Sequence, residues 1–234
     1  MGYHRLMART ANHDERRAQI LGGVRTVATS SGIGRVTVAR AAEAAGVSVG
    51  LVQHYYSSKE ELLIDTFASV RADVFTRIDA EIARAEKRGS RIEQMLVDSV
   101  GQLLPIGARK RDEVYVAHAF AGLALEDPTL RGHLRAANEQ LQQRVATGLT
   151  NGKECGEVDP SLDVDEAAYA LVALTDGLAA RLLVHAGAAQ KKWALDSLRA
   201  RARELCPGEC AHRRVNSGEA LHPKMQGLNV AGRH

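Results

Sequence analysis

Apolar residues recur along this chain at the three- and four-residue spacing of amphipathic helices rather than at the alternate spacing of strands. Ile20, Val24, Val27 and Ala28 form a first stripe, entered through a capping box of Asn12 and Glu15 and stopped by Ser30-Ser31-Gly32. Thr37 caps a short helix carrying Val38, Ala41, Ala42 and Ala45, which Gly46 ends in a left-handed conformation. Ser48 caps a second short helix with Val47 and Val52 inward. Ser58 and Glu61 then cap a long stripe through Leu62, Leu63, Phe67, Val70, Val74 and Ile78.

Further on the same alternation of helix and stop continues. Ile92, Leu96, Val100 and Leu103 mark one helix, ended by Pro105 and Gly107, and residues 111–125 the next. Asp127-Pro128 opens a helix to about Thr150, which Gly152 and the polar residues after it break. Asp163 and Glu166 cap the apolar stretch Ala167 to Val184, and residues 190–205 carry Trp193, Leu195 and Leu198. The expected architecture is all-α: a flexible basic arm over 1–11, a three-helix head over 12–60 with its motif at 37–56, a helical body over 61–206, and a disordered polar tail over 207–234.

Composition agrees, since aromatics are scarce and alanine, leucine and arginine abundant. Charge is unevenly placed. Through Lys59 there are eight Lys/Arg against three Asp/Glu, a net +5, which leaves −2 for the remainder of a chain whose total is +3. A basic head on a slightly acidic body is the footprint of a module that meets phosphate. The longest uninterrupted apolar run, about Ala167 to Leu174, is far below the roughly 18 residues of a membrane helix, and no signal peptide opens the chain, so a cytoplasmic protein is expected. Three cysteines form no even disulfide framework; Cys206 and Cys210 with His212 suggest a metal site only weakly, and ordinary free thiols, with no metal and no cofactor, are expected.

The segment Thr37 to Leu63 carries the functional signal. Thr37, then Ala41-Ala42, then Gly46-Val47-Ser48, then Gln53-His54-Tyr55-Tyr56-Ser57-Ser58-Lys59 and Leu62 make a helix-turn-helix that resembles the TetR family of bacterial transcriptional regulators. Two departures bear on which bases are read: Gln53 stands where the family usually has an aromatic, and Val49 where a polar or basic residue is common. On the second helix Gln53 suits adenine N6/N7, and His54 suits guanine or a phosphate. Gly50 permits close backbone approach, Val49 offers apolar contact to thymine methyls, and Leu51 either does the same or packs against the first helix. Thr37, Ser48, Tyr55 and Lys59 read as phosphate contacts, with Arg40 a further candidate, while Tyr56 takes an inward aromatic slot.

The resemblance implies a body that holds a small-molecule pocket, and a dimer formed by the last two long helices. Polar residues within apolar stretches are the pocket candidates, namely Tyr115, His118, Tyr169 and Arg181. For the dimer interface the candidates are Asp176, Gly177, Leu178, Leu182, His185 and Trp193, on helices whose apolar content exceeds what one buried face requires. The expected function is a homodimeric repressor, not an enzyme, that binds a palindromic operator in double-stranded DNA and is released by a small hydrophobic effector. An activator, or a sequence-neutral architectural DNA-binding protein, is the alternative. No inward Glu-x-x-His pairs, phosphate-cradling Gly-rich loop or nucleophile elbow argues for catalysis.

Overall fold

A computed structural model describes the backbone of residues 2–210 and the side chains of residues 13–210; among the described residues the regular structure is helical and no strand occurs. The elements are α1 Gly2–Ser31, a 3-10 turn Ile33–Arg35, α2 Val38–Ala45, α3 Val49–Tyr55, α4 Lys59–Lys87, α5 Ile92–Val100 with a 3-10 turn Gly101–Leu103, α6 Ala108–Ala124, α7 Pro128–Cys155, α8 Val164–Val184 and α9 Ala188–Leu205. The all-α expectation holds. The chain divides into two compact units, one containing the residues up to Asp73 with Asp112–Leu134, the other Val74–Arg111 with the residues from Arg135 onward.

In the first unit the cap chemistry works largely as the sequence proposes. The Thr37 hydroxyl accepts from the Arg40 amide at 3.2 Å, Gly46 adopts φ 65°, and the Ser48 hydroxyl accepts from the Leu51 amide at 3.1 Å. The Ser58 hydroxyl caps α4, but the Glu61 carboxylate returns to the Ser57 amide at 2.8 Å, one residue earlier than a standard capping box. Those hydrogen bonds from Ser57 hold the Glu61 carboxyl below its usual range. Ile20, Val24, Ala28, Val36, Ala41, Val52 and Leu62 are fully buried. Close approach of α1 to α2 depends on Gly23, where a Cβ would lie 2.5 Å from the Ala41 carbonyl oxygen and 2.7 Å from the Ala45 nitrogen.

Polar groups bind α4 to α1. Arg17 Nε donates to Asp65 at 2.7 Å, and the Tyr56 hydroxyl donates to the same carboxylate. Arg25 donates to Asp73 and Ser69 at 2.8 and 2.7 Å. Phe67 of α4 stacks on Phe120 of α6, centroids 4.2 Å apart.

The flexible arm expected over 1–11 is corrected: α1 is helical from Gly2. Residues 3–11 contain no glycine or proline and several strong helix formers, so the helix propagates through Asn12 instead of restarting there.

The second unit buries Ile78, Ile92, Leu96, Leu149, Leu171 and Leu198. Here α7 does not break at Gly152 but continues to Cys155 and ends at Gly156, φ 87°. Gly152 has a different role, because a Cβ there would meet Val158 Cγ2 at 2.4 Å where the chain folds back over the helix. Asp163 caps α8 by accepting from the Asp165 and Glu166 amides. Buried Glu157 accepts from Arg91 Nε at 3.2 Å and from the Ile92 amide at 3.0 Å, which satisfies the start of α5. Arg91 also donates to the Gly208 carbonyl at 2.7 Å, and the Gly208 amide donates to the Glu157 carbonyl at 3.0 Å. The expected tail is therefore corrected at 207–210, which these bonds hold against the body, with Cys210 buried; residues 211–234, including His212, lie outside the described residues. Burial pushes the Cys155 thiol up to about 11 and the Cys206 thiol up to about 12.

Candidate nucleic-acid interface

A cap at each end of a seven-residue segment makes α3 a defined surface. Val52 is buried beneath it at 0% exposure, and on the outside Val49, Gly50, Gln53 and His54 are exposed together. The amide of Gln53 and the imidazole of His54 thus share one open face, where both can present donors and acceptors to base edges. A Cβ at Gly50 would meet no atom within 4 Å, so nothing inside the protein demands glycine there, and an approaching duplex would find bare backbone. Leu51 is half-buried, between the two roles left open for it.

Tyr55 is half-buried between two histidines, His54 edge-on at 5.6 Å and His13 of α1 at 4.6 Å between ring centroids. His13 is a neighbour the sequence does not disclose, because only the packing of α1 beside α3 brings it there. Tyr56 is buried, as its inward slot requires, and its phenol is raised well above the ordinary value, mainly by burial and secondarily by donation to Asp65.

The basic candidates gather at the turn after α1. Arg40 donates to the Ser31 hydroxyl at 3.1 Å and the Arg35 carbonyl at 3.4 Å, and Lys59 Nζ reaches the Gly34 carbonyl at 3.4 Å. Each retains donors beyond these contacts, and exposed Arg35 adds a third charge in the same turn. Thr37 and Ser48 are exposed at the starts of α2 and α3, where their hydroxyls accept from the Arg40 and Leu51 amides. Arg25 is instead committed to Asp73 and Ser69 within the unit.

The body candidates divide. Tyr115 and His118 belong to the first unit: the Tyr115 hydroxyl lies 4.0 Å from where a Cβ on Gly32 would be, and His118 Nδ1 is 3.0 Å from the Val114 carbonyl oxygen of its own helix. In the second unit a cavity of about 30 Å³ is lined by Ile78 and Ile82 of α4, Ile92, Met95, Leu96, Ser99 and Val100 of α5, and Leu141, Arg144, Val145 and Gly148 of α7. None of Tyr115, His118, Tyr169 and Arg181 lines it. Tyr169 is 66% exposed because its helical phase sets it opposite Ala168, Leu171 and Thr175, which are core. Arg144 pairs with Asp79, and its guanidinium lies 4.5 Å over the Phe75 ring.

Arg181 is exposed in an open groove of about 600 Å³ formed by the end of α8 and the start of α9, with Val184, His185, Gln190 and Trp193. Asp176, Gly177 and His185 are exposed, Leu178 is half-buried, and Trp193 and Val184 are 61% and 90% exposed. Leu182 departs from the expected set: its side chain is 2% exposed, packed inside the subunit. The outer face of α8 thus carries Tyr169, Ala170, Ala173, Gly177 and Val184, an apolar surface that no described residue covers, interrupted by exposed Asp176 and Arg181.

Comparison with known proteins agrees with this geometry. Residues 20–66 match the family model described as bacterial regulatory proteins, tetR family, and residues 92–207 match that of the BetI-type transcriptional repressor, C-terminal. The chain is 26% identical over 175 residues to the probable HTH-type transcriptional regulator ArpR of Pseudomonas putida, covering 73% of this chain and 81% of the relative. It is also 26% identical over 179 residues to the HTH-type transcriptional regulator BetI of Burkholderia lata, covering 74% and 84%. Among solved structures, a putative TetR-family regulator from Rhodococcus sp. superposes with TM-score 0.73 at 21% identity over 82% of this chain and 99% of that one. A putative regulator from Saccharomonospora viridis in complex with choline does so with TM-score 0.70 at 23% identity over 84% and 99%. With its head and its body each matched in this way, the chain belongs to the TetR family of bacterial transcriptional regulators and is a DNA-binding regulator.

Proposed function

We propose that the protein is a homodimeric repressor whose head, residues 12–60, binds a palindromic operator, and whose body, residues 61–206, releases it when a small apolar molecule binds. The observation that carries the reading is the outward face of α3, where Gln53 and His54 stand together over a buried Val52, flanked by Thr37, Ser48, Tyr55, Lys59 and Arg40 for phosphate. Gln53 and His54 read bases, Val49 and Leu51 meet thymine methyls, and the flanking groups fix the register. Dimerisation through the outer faces of α8 and α9 supplies the two-fold symmetry that a palindrome needs and covers Tyr169, Val184 and Trp193.

The effector site is the seam lined by Ile78, Met95, Leu96, Leu141 and Val145. Its lining is apolar apart from Ser99 and the Arg144 guanidinium and contains no aromatic ring, which offers no cage for a quaternary ammonium such as the choline of the Saccharomonospora viridis neighbour. An apolar molecule entering so small a cavity must open the seam. Ile78 and Ile82 lie on α4, whose first residue is Lys59 of the head, so one helix belongs to both ends of the response.

The test is binding of the purified protein to the DNA upstream of its own gene, with and without a panel of lipophilic compounds. The repressor reading expects a saturable, salt-sensitive complex, roughly 10³-fold or more tighter than on random duplex, protecting two half-sites and dissolved by a compound. Equal affinity for all duplexes would replace it with an architectural binder, and a specific complex that no compound dissolves would remove the effector.

A further inference from the structure

Spacing in the sequence groups Cys206 with Cys210 and His212, but the fold groups the cysteines differently. Cys155 ends α7, Glu157 follows two residues later, and Cys210 returns beside them after α9. The sulfurs of Cys155 and Cys210 and a carboxylate oxygen of Glu157 all lie within 4.8 Å of one another. The three residues are 1%, 4% and 0% exposed.

Two features distinguish this cluster from a chance meeting of buried thiols. Glu157 Oε2 accepts from Arg91 and from the Ile92 amide, whereas Glu157 Oε1 is buried with no hydrogen-bond partner among the described residues, an unfavourable state for a carboxylate oxygen unless another positive group meets it. The cluster also joins two segments far apart in the chain, since the Gly208 amide donates to the Glu157 carbonyl at 3.0 Å and brings Cys210 back beside the end of α7.

We propose that Cys155, Glu157 and Cys210 bind a thiophilic divalent cation of the zinc class, tying the end of α7 to the chain that follows α9. A sulfur-rich set with one carboxylate selects zinc or cadmium over magnesium or calcium. Charge also favours a dication: two thiolates and one carboxylate leave one negative charge beside the ion, and Arg91, part-exposed and shared with Glu93 at 3.5 Å, lies next to that carboxylate. Binding releases both thiol protons to solvent and involves no redox step. The fourth position of a tetrahedron is left to water or an added ligand. Cys206 is not among the ligands; its carbonyl accepts from Arg91 at 3.3 Å.

The experiment uses the full chain, reduced with a phosphine and stripped of metal, titrated with cobalt(II) chloride. The expected result is a sulfur-to-cobalt band in the near ultraviolet that saturates at about one ion per chain and is abolished by zinc chloride. Cys210→Ser should remove the band, Cys206→Ser should keep it, and Glu157→Gln should weaken cobalt binding roughly tenfold or more. Absence of the band in the unaltered protein would overturn the proposal, as would a band lost with Cys206→Ser and kept with Cys210→Ser. Should Cys210→Ser fail to fold, X-ray absorption at the zinc edge of the unaltered protein decides instead. Two sulfurs in the shell support the site, and a shell of nitrogen and oxygen alone overturns it.

Discussion

The head and the body solve different problems with the same element. In the head, α2 and α3 are too short to be stable alone; each is fixed by its own side-chain cap, α2 by close packing on α1 and α3 by packing on α2. In the body, α8 is long and apolar on its inner face, with Ala168, Leu171, Thr175 and Leu182, and still apolar outside at Tyr169, Ala173 and Val184. A surface that must meet a solvated, charged duplex is built of exposed polar groups on a rigid frame. The face proposed to meet a second copy of the chain leaves large apolar groups uncovered.

Charging the outer face of the body should give the largest effect. Tyr169→Asp together with Trp193→Asp alters two exposed side chains and should leave the subunit folded while weakening the dimer by about 2 kcal/mol or more. Sedimentation equilibrium checks this, and an unchanged dimer would place the interface elsewhere.

Next is the frame of the head. Gly23→Ala should cost about 1–3 kcal/mol in urea unfolding, because its Cβ has no room against α2. Gly22→Ala, one residue away with nothing within 4 Å, should instead gain roughly 0.5–1 kcal/mol. If the two behave alike, the α1–α2 contact is looser than described.

On DNA, Gln53→Ala should cost about 1–3 kcal/mol on the operator and relax one base pair, whereas Lys59→Ala should weaken all duplexes alike and lower the salt slope by about 1. Unaltered base preference in Gln53→Ala would remove its reading role.

The smallest effect concerns Tyr56. Its folded-state phenol is raised, so the unfolded chain loses that proton first; the stabilisation is complete below about pH 10 and declines as pH rises further. Tyr56→Phe should cost about 1 kcal/mol at neutral pH and flatten the alkaline decline in thermal unfolding.

Much of the head was legible because its determinants are local. Thr37, Gly46 and Ser48 act on residues within one helical turn, and the stripe from Leu62 to Ile78 is buried as its periodicity requires. The start of α1 was misplaced, since a capping box at Asn12 competes with an uninterrupted run of helix formers before it. In the body, polar residues within apolar stretches leave their side undetermined, because a helix has two sides and polarity does not say which faces the core. Tyr169 lies outside, and Leu182, placed at the interface, lies inside.

What the sequence determined by itself is therefore the helical class, the caps of α2 and α3 with the stop at Gly46, and the residues that α3 turns outward, all of which depend on neighbours within a few positions. Tertiary structure alone decided the rest. It brought His13 against Tyr55, left no room for a Cβ at Gly23 and Gly152, lined the cavity from α4, α5 and α7, and gathered Cys155, Glu157 and Cys210. Each of these is a meeting of segments far apart along the chain, and such meetings are set by how helices pack rather than by any period within one of them.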